Sequence, residues 1–469
     1  MTITDPIDVL FSDLERQFVL TKDTLAPIVH GFIEELNTGL TTPSTKLATM
    51  IPSFVTKLPT GNETGTFLSL DMGGTNLRIS AVELKGHGQV DVLELKRVAS
   101  KELKTGQGDV FFDWIADAMD ELVHVKAKHL FSCDQLEGKE SLALGICWSF
   151  PVHQVAVNRG TILRMGKGFT LANTEGQDLS DMLHNAFERK GLNVKVSAIL
   201  NDAVGTLVAA AYANPISRIG FIFATGVNAS YPERLSSMKA KLEPDYYNSQ
   251  DSNAEMLLNT EIDIFGSESY LPLTSYDRAL DAAHNQPKFQ LYEKMMSGAY
   301  MGELVRLIAL DFIKAGELFD GIVPEGFEEP YCFPTMYMSA LESDNTVSKK
   351  ESFKLLSKFH SVQEPTYQDV NILTRICKIV ALRSAALVCA AIAAMIKQQG
   401  LDKLQDGHDI VIGINGSTYE FYPYMAERVH HSLRHWFGTE VSDKIRMEVA
   451  KDGGSIGGAL IAMLCNQDE

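Results

Sequence analysis

The strongest chemical signal lies between Phe67 and Ser80, where an apolar run ends in Asp71-Met72-Gly73-Gly74-Thr75-Asn76-Leu77-Arg78 and a second apolar run begins. Two strands joined by a glycine turn bring bare backbone N–H groups against an anion. Gly73, Gly74, Thr75 and Asn76 would form that cradle. Thr75 and Arg78 would add donors, and Asp71 would hold a divalent cation through water. The expected ligand is a nucleoside triphosphate with magnesium. A Walker loop is excluded because no Gly-Lys-Ser/Thr follows, and a dinucleotide fingerprint because the glycines do not fall as Gly-x-Gly-x-x-Gly. The competing reading is a tight hairpin whose glycines only supply positive φ.

Several elements must position this turn. Leu25, Ile28, Val29, Phe32, Ile33 and Leu36 recur at helical spacing over residues 24–40, which predicts an amphipathic helix. Pro52, Pro59 and Thr60-Gly61-Asn62 then break the chain. Strands and helices alternate from there to about residue 230, including a strand over 141–147, a helix over 178–190 and a strand over 194–200. Residues 219–228 and 410–418 repeat the hairpin theme, with Thr225-Gly226 and Gly416-Ser417 at their turns. Repeated sites of this kind predict two lobes of related topology facing each other across a cleft. Residues 327–368 read as an irregular surface excursion, followed by a long helix over 369–399.

Composition bounds the function. A chain of 469 residues suggests about two to four domains. With 45% hydrophobic and 22% charged residues it reads as globular. A net charge of −18 argues against nucleic acid or an anionic membrane as the main partner. The N-terminus has no signal-peptide pattern, and the longest apolar stretch, 379–396, is interrupted by Arg383, so no membrane span is expected. Six scattered cysteines without a Cys-x-x-Cys pair fit reduced thiols and a cytoplasmic protein. Nothing in the sequence fixes an oligomeric state.

Taken in order, the motifs resemble the hexokinase family over nearly the whole chain. Residues 50–65 look like the approach to its first phosphate site and 71–78 like that site. Ser149-Phe150-Pro151 with Gln154, then Lys167-Gly168-Phe169, resemble the mobile sugar-binding segment. Asn201-Asp202, Thr225-Gly226-x-Asn228, Asn259-Thr260-Glu261 and Tyr292-Glu293-Lys294 follow in family order. The resemblance implies a two-lobed, actin-like (ribonuclease H-like) α/β sugar kinase with mixed sheets, using ATP and Mg2+. It implies a small lobe over 62–200, rejoined by a C-terminal helix over 456–469, and a large lobe over 201–455 on which residues 1–61 pack. Ser149, Lys167, Asn201, Asp202, Asn228, Glu261 and Glu293 would supply the paired donors and acceptors that a neutral, hydroxyl-covered sugar demands. Asp202 would be the catalytic base for the 6-hydroxyl. Singly, each has a plainer reading: Asn201-Asp202 as a helix cap, Ser149 as turn chemistry, and Lys167, Glu261 and Glu293 as solvated surface charges.

Departures from the family pattern bear on the substrate. Glucose-phosphorylating members usually have Trp-Thr before the lysine and an aromatic residue with Gly after the glutamate, whereas this chain has Met165-Gly166 and Ile262-Asp263. The missing hydroxyl and added space favour an N-acetylhexosamine such as N-acetylglucosamine, or a broad range of hexoses, over strict glucose use. Fungal N-acetylglucosamine kinases of this family look similar at these points. Ala203, Ala224, Asn415 and Asp452-Gly453-Gly454 depart on the nucleotide side. A methyl at Ala224 would obstruct a turn that needs positive φ or close phosphate approach, which raises the alternative of a weak or inactive sugar sensor.

Overall fold

The computed structural model describes residues 5–73, 76–166, 168–359, 365–403 and 408–466. Two sheets carry the fold. The first is built from β2 (Thr64–Met72), β3 (Asn76–Lys85), β4 (Val90–Val98), β5 (Leu142–Trp148) and β8 (Val194–Leu200) in the order β4-β3-β2-β5-β8. The second joins β1 (Ile51–Pro52), β9 (Ser217–Phe223), β10 (Val227–Arg234), β11 (Glu255–Asn259), β12 (Ile410–Asn415) and β13 (Ile445–Val449) in the order β1-β11-β10-β9-β12-β13. A separate hairpin pairs β6 (Val152–Ala156) with β7 (Arg159–Ile162).

The two sheets share one plan. In each, three strands run antiparallel (β2-β3-β4 and β9-β10-β11) and two more add in parallel (β5-β8 and β12-β13). Burial follows from that pairing. Parallel strands covered on both faces read as continuous apolar runs, as in Leu142–Trp148 and Val194–Leu200, whereas edge strand β4 alternates and stays largely accessible. The hairpin expectation holds for β9–β10 but not for residues 410–418. There β12 runs parallel to β9 and passes directly into the helix Ser417–Phe421, so the turn is a strand-to-helix junction.

The helix Asp202–Ala213, here the central helix, follows β8, and the C-terminal helix Gly453–Asn466 follows β13. The central helix is built from small residues because everything crowds it. A Cβ placed on Gly457 would lie 2.3 Å from the Gly205 carbonyl oxygen, one on Gly205 2.5 Å from that of Gly453, and one on Gly413 2.1 Å from Ala210 Cβ. Ser230 Oγ adds a bond to the Ala203 carbonyl at 2.6 Å. The C-terminal helix begins three residues before its expected start and packs along β2, β5 and β8, with Ser69 Oγ donating to the Gly454 carbonyl at 3.1 Å.

Residues 327–368 are not the irregular excursion expected from their prolines. They include the helices Thr335–Ser343 and Lys350–Leu356, which bury Met338, Leu341, Leu355 and Leu356. The long helix Tyr367–Gln398 starts at the Thr366–Asp369 capping box and is long and apolar enough to cross a membrane, yet it is the buried axis of the larger core. Arg383 is tolerated there because Asp277 takes both its terminal nitrogens at 2.8 Å.

Helix propensity alone favours Gly457→Ala by about 1 kcal/mol, but overpacking against backbone costs about 1–3 kcal/mol. The contact at 2.3 Å is with a carbonyl, which has no rotamer to yield. Gly457→Ala is therefore expected to lower the thermal midpoint by a few degrees in calorimetry; an unchanged or higher midpoint would contradict the packing argument.

Candidate active site

The Asp71 carboxylate sits at the end of β2 beside the N-terminus of the C-terminal helix, where a Cβ on Gly454 would come within 2.8 Å of it. Arg78 faces it across the hairpin at 3.9 Å. Gly73 closes the turn by donating to the Asn76 carbonyl at 3.1 Å, while Gly74 and Thr75 lie outside the described residues. Burial lifts the Asp71 carboxyl to about 6; Arg78 opposes the shift, and Asp202, Asp452 and Glu94 add to it. Asp71 is thus a largely enclosed carboxylate facing one arginine. No group of three or more metal-ligating side chains occurs among the described residues.

Asn201 caps the central helix, its side chain accepting from Ala203 N at 2.7 Å, so the plainer reading of that residue holds. The cap also fixes Asp202 as the first helical residue, half-buried. Its charge acts on Asp71 in one direction and on Glu261 and Asp263 in the other. Asp202 therefore stands between the two groups.

The second group hangs on the ends of β10 and β11. Asn228 Nδ2 donates to Asn259 Oδ1 at 3.0 Å and to Glu261 Oε1 at 3.4 Å, and Asn259 Nδ2 also donates to Glu261. Glu261 is left-handed, with φ 50°, a strained conformation for a side-chain-bearing residue. Neither Glu261 nor Glu293 is a solvated surface acid. Glu293 accepts from Val227 N at 3.0 Å and lies against Gly226, so it braces the Thr225-Gly226 turn. Asn259, Asp263 and Gln290 join this group although no site role follows for them from sequence; Gln290 Nε2 donates to Asp263 Oδ2 at 2.6 Å.

The Thr225-Gly226 and Gly416-Ser417 turns meet. Thr418 Oγ1 donates to the Ala224 carbonyl at 2.8 Å, and a Cβ on Gly416, with φ +134°, would lie 2.3 Å from the Phe223 carbonyl oxygen. Ala224 is not left-handed, and its N–H reaches the Gly226 carbonyl at 2.9 Å, so its methyl does not block the turn as expected from sequence. Asn415 has a structural reason to differ from Asp: its amide donates to the Ala450 carbonyl at 2.8 Å.

Ser149 follows β5 and donates its N–H to the Met72 carbonyl at 3.2 Å, which sets it beside the Asp71 strand. The segment after it is anchored by aromatic contacts of Phe150 with Trp148 and Phe169, each at 5.2 Å between ring centroids. Gln154 ties the β6–β7 hairpin to the Ile199 carbonyl at 3.0 Å. Lys167 lies outside the described residues.

Burial, then the neighbouring Asp263 charge, push the Glu261 carboxyl up to about 8; Asn259 opposes this, Asp202 adds to it and Asn228 opposes it. Folding therefore takes up a proton, and stability falls as pH rises from the ordinary 4.5 to about 8, where the penalty is complete. Glu261→Gln keeps an acceptor for Asn228 and Asn259 and removes the penalty. The sugar-free variant should melt above the parent protein, by a margin that widens up to about pH 8 and then levels. Thermal scans across pH test this, and a margin independent of pH would refute it.

Comparison with known proteins agrees with this arrangement. Family models described as hexokinase match residues 10–212 and 218–464. Hexokinase-1 of Schizosaccharomyces pombe is 33% identical over 466 residues, covering 99% of this chain and 91% of that protein. Hexokinase-1 of Saccharomyces cerevisiae is 33% identical over 456 residues, covering 96% and 91%, and glucokinase of Aspergillus niger is 32% identical, covering 97% of each. The solved hexokinase of Schistosoma mansoni complexed with glucose superposes with a TM-score of 0.79 at 29% identity, over 98% of this chain and 100% of that one. Two matched halves, near-complete coverage and a shared two-sheet fold lead to one conclusion: the chain belongs to the hexokinase family, the sugar kinases that use ATP with Mg2+.

Proposed function

We propose that this protein transfers the γ-phosphoryl group of ATP to the 6-hydroxyl of hexoses and accepts N-acetylglucosamine at least as well as glucose. The site lies in the cleft between a small lobe over residues 62–200 and a large lobe over 201–455. Asn201, Asn228, Glu261, Glu293, Ser149 and Lys167 bind the sugar. Asp202 takes the proton of the 6-hydroxyl as its oxygen attacks the γ-phosphorus and ADP leaves. Asp71, Gly73, Gly74, Thr75, Asn76 and Arg78 hold the phosphates from one side and Thr225, Gly226, Gly416 and Ser417 the nucleotide from the other. Magnesium neutralises phosphate charge and meets Asp71 through water. All six cysteines are free, which supports a reducing, cytoplasmic setting.

The observation carrying the substrate reading is the space at Gly166, where a Cβ would have no atom within 4 Å. Glycine there offers neither a hydroxyl donor nor bulk, which leaves room beside the sugar for an acetamido group. Ala224 is not left-handed and its turn is closed by a hydrogen bond to Gly226, which supports catalysis over a sensor role at that position.

Asp202→Asn should leave sugar affinity largely intact while lowering turnover by about two or more orders of magnitude, the scale for losing a general base. Calorimetry beside steady-state rates tests this, and near-normal turnover would remove Asp202 from its role.

Gly166→Thr should restore a donor worth about 0.5–1.5 kcal/mol to glucose. Because the protein leaves the position open, steric cost falls on the larger sugar alone, at about 1–3 kcal/mol. The preference for N-acetylglucosamine over glucose should then drop by about ten-fold or more in kcat/KM. A parent enzyme that uses glucose well and ignores N-acetylglucosamine would defeat the substrate assignment.

A further inference from the structure

We infer that Glu35, on the helix Lys22–Thr41, is a positioning residue for the sugar: it holds the turn that carries Glu261 against the helix that carries Glu293. The inference rests on the sugar-binding role proposed above for those two carboxylates and adds the residue that sets their spacing.

The contact is made at Gly266. That residue closes the stretch in which the left-handed Glu261 is followed by the 3-10 turn Ile262–Ile264 and Phe265. Gly266 has φ +108°, and a Cβ on it would lie 2.5 Å from Leu271 Cδ1 and 3.3 Å from both Tyr292 N and Tyr292 Cβ. The Glu261 turn therefore lands on the backbone of the residue before Glu293, inside the helix Leu291–Met296. At that landing point the Gly266 N–H donates to Glu35 Oε1 at 3.1 Å, and the Tyr270 hydroxyl donates to the same oxygen.

Phe32 completes the grip. It lies three residues before Glu35, on the same face of the helix. Its ring meets Phe265 at 5.9 Å, Tyr270 at 6.0 Å and Tyr292 at 4.9 Å between centroids, edge to face in each case. Apolar burial resists separation of these segments but has no direction, so it does not by itself set their register. The hydrogen bond to Gly266 supplies the direction. A left-handed residue such as Glu261 persists only where its surroundings over-determine it, and Glu35 anchors the far end of the same turn. Beside the anchor a cavity of 290 Å³ is lined by Glu35, Thr38, Thr49, Ile264, Ser269 and Tyr270, which leaves the turn room to shift once Glu35 is truncated.

The test measures kcat, KM for sugar, KM for ATP and the thermal midpoint in the full-length parent protein and its variants, with glucose and N-acetylglucosamine each as the sugar. Glu35→Ala should raise the sugar KM about five-fold or more and leave the ATP KM within about two-fold. Glu35→Asp keeps the charge but draws the oxygen back by one methylene. It should show the same selective rise, and it stands in for the alanine variant where that does not fold. Glu35→Gln keeps an Oε1 for both donors and should return the sugar KM to within about two-fold of the parent. Tyr270→Phe removes the other bond to that oxygen while Gly266 stays held, so it should lower the thermal midpoint without the selective rise. An unchanged sugar KM in Glu35→Ala and Glu35→Asp, or a rise shared with ATP or with Tyr270→Phe, overturns the positioning role. Glu261→Ala separates the two readings. If it leaves the sugar KM unchanged, the sugar role of Glu261 falls and this inference with it; if it raises that KM and the Glu35 variants do not, this inference falls alone.

Discussion

Backbone touches backbone where the central helix crosses the C-terminal helix, and the geometry of the site depends on that contact. Gly205, Gly453 and Gly457 leave no side chain between the two helices. On its other flanks the central helix meets Gly220, whose Cβ would lie 2.7 Å from Leu207 N, and Gly413 against Ala210. A helix clamped on several sides by backbone cannot slide by a fraction of a turn without lifting a sheet. Its first residue is Asp202, so the clamp sets the position of Asp202 relative to Asp71 on one sheet and Glu261 on the other. Backbone contacts thereby fix a geometry that phosphoryl transfer, which asks mainly for alignment, would need.

Electrostatics distinguish this region from the rest of the interior. Elsewhere several buried acids are paired with arginine: Asp277 with Arg383, Glu303 with Arg306, Glu342 with Arg428. At the site burial raises Asp71, Glu261 and Asp263, the Asp202 charge adds to each of these shifts, and Arg78 pulls against the shift at Asp71. Buried carboxyl groups raised in this way weaken the unliganded fold and are typical of places kept for function rather than stability. The left-handed Glu261 adds backbone strain to the same turn.

Much of this was legible in sequence because it is local. Strand runs such as Val194–Leu200, the glycine turn after Asp71 and the ordered motifs all lie within short windows. What escaped was non-local. The helices over 335–356 hide in a proline-bearing polar stretch, and only burial of Met338 and Leu356 against the core reveals them. Ala224 looked obstructive because the turn was assumed to need positive φ; the observed turn closes with ordinary backbone. Asn415 looked like a lost acid until its bond to Ala450 appeared. Asp263 looked like a mere departure, since no local pattern shows that Gln290, 27 residues away, donates to its carboxylate.

The C-terminal helix has a consequence for synthesis. Ser69 and Gly454, which hydrogen-bond, are 385 residues apart, and the intervening chain builds all of the second sheet except its edge strand β1. The face of β2, β5 and β8 that this helix covers is therefore translated early and closed last. Until the C-terminal helix is made, the first sheet exposes an apolar surface that has no local partner, while the glycines that will seat the helix offer it no side chains of their own. Contacts of such long sequence separation form slowly, and a nascent chain of this kind holds that apolar face open until a helix made far later reaches it.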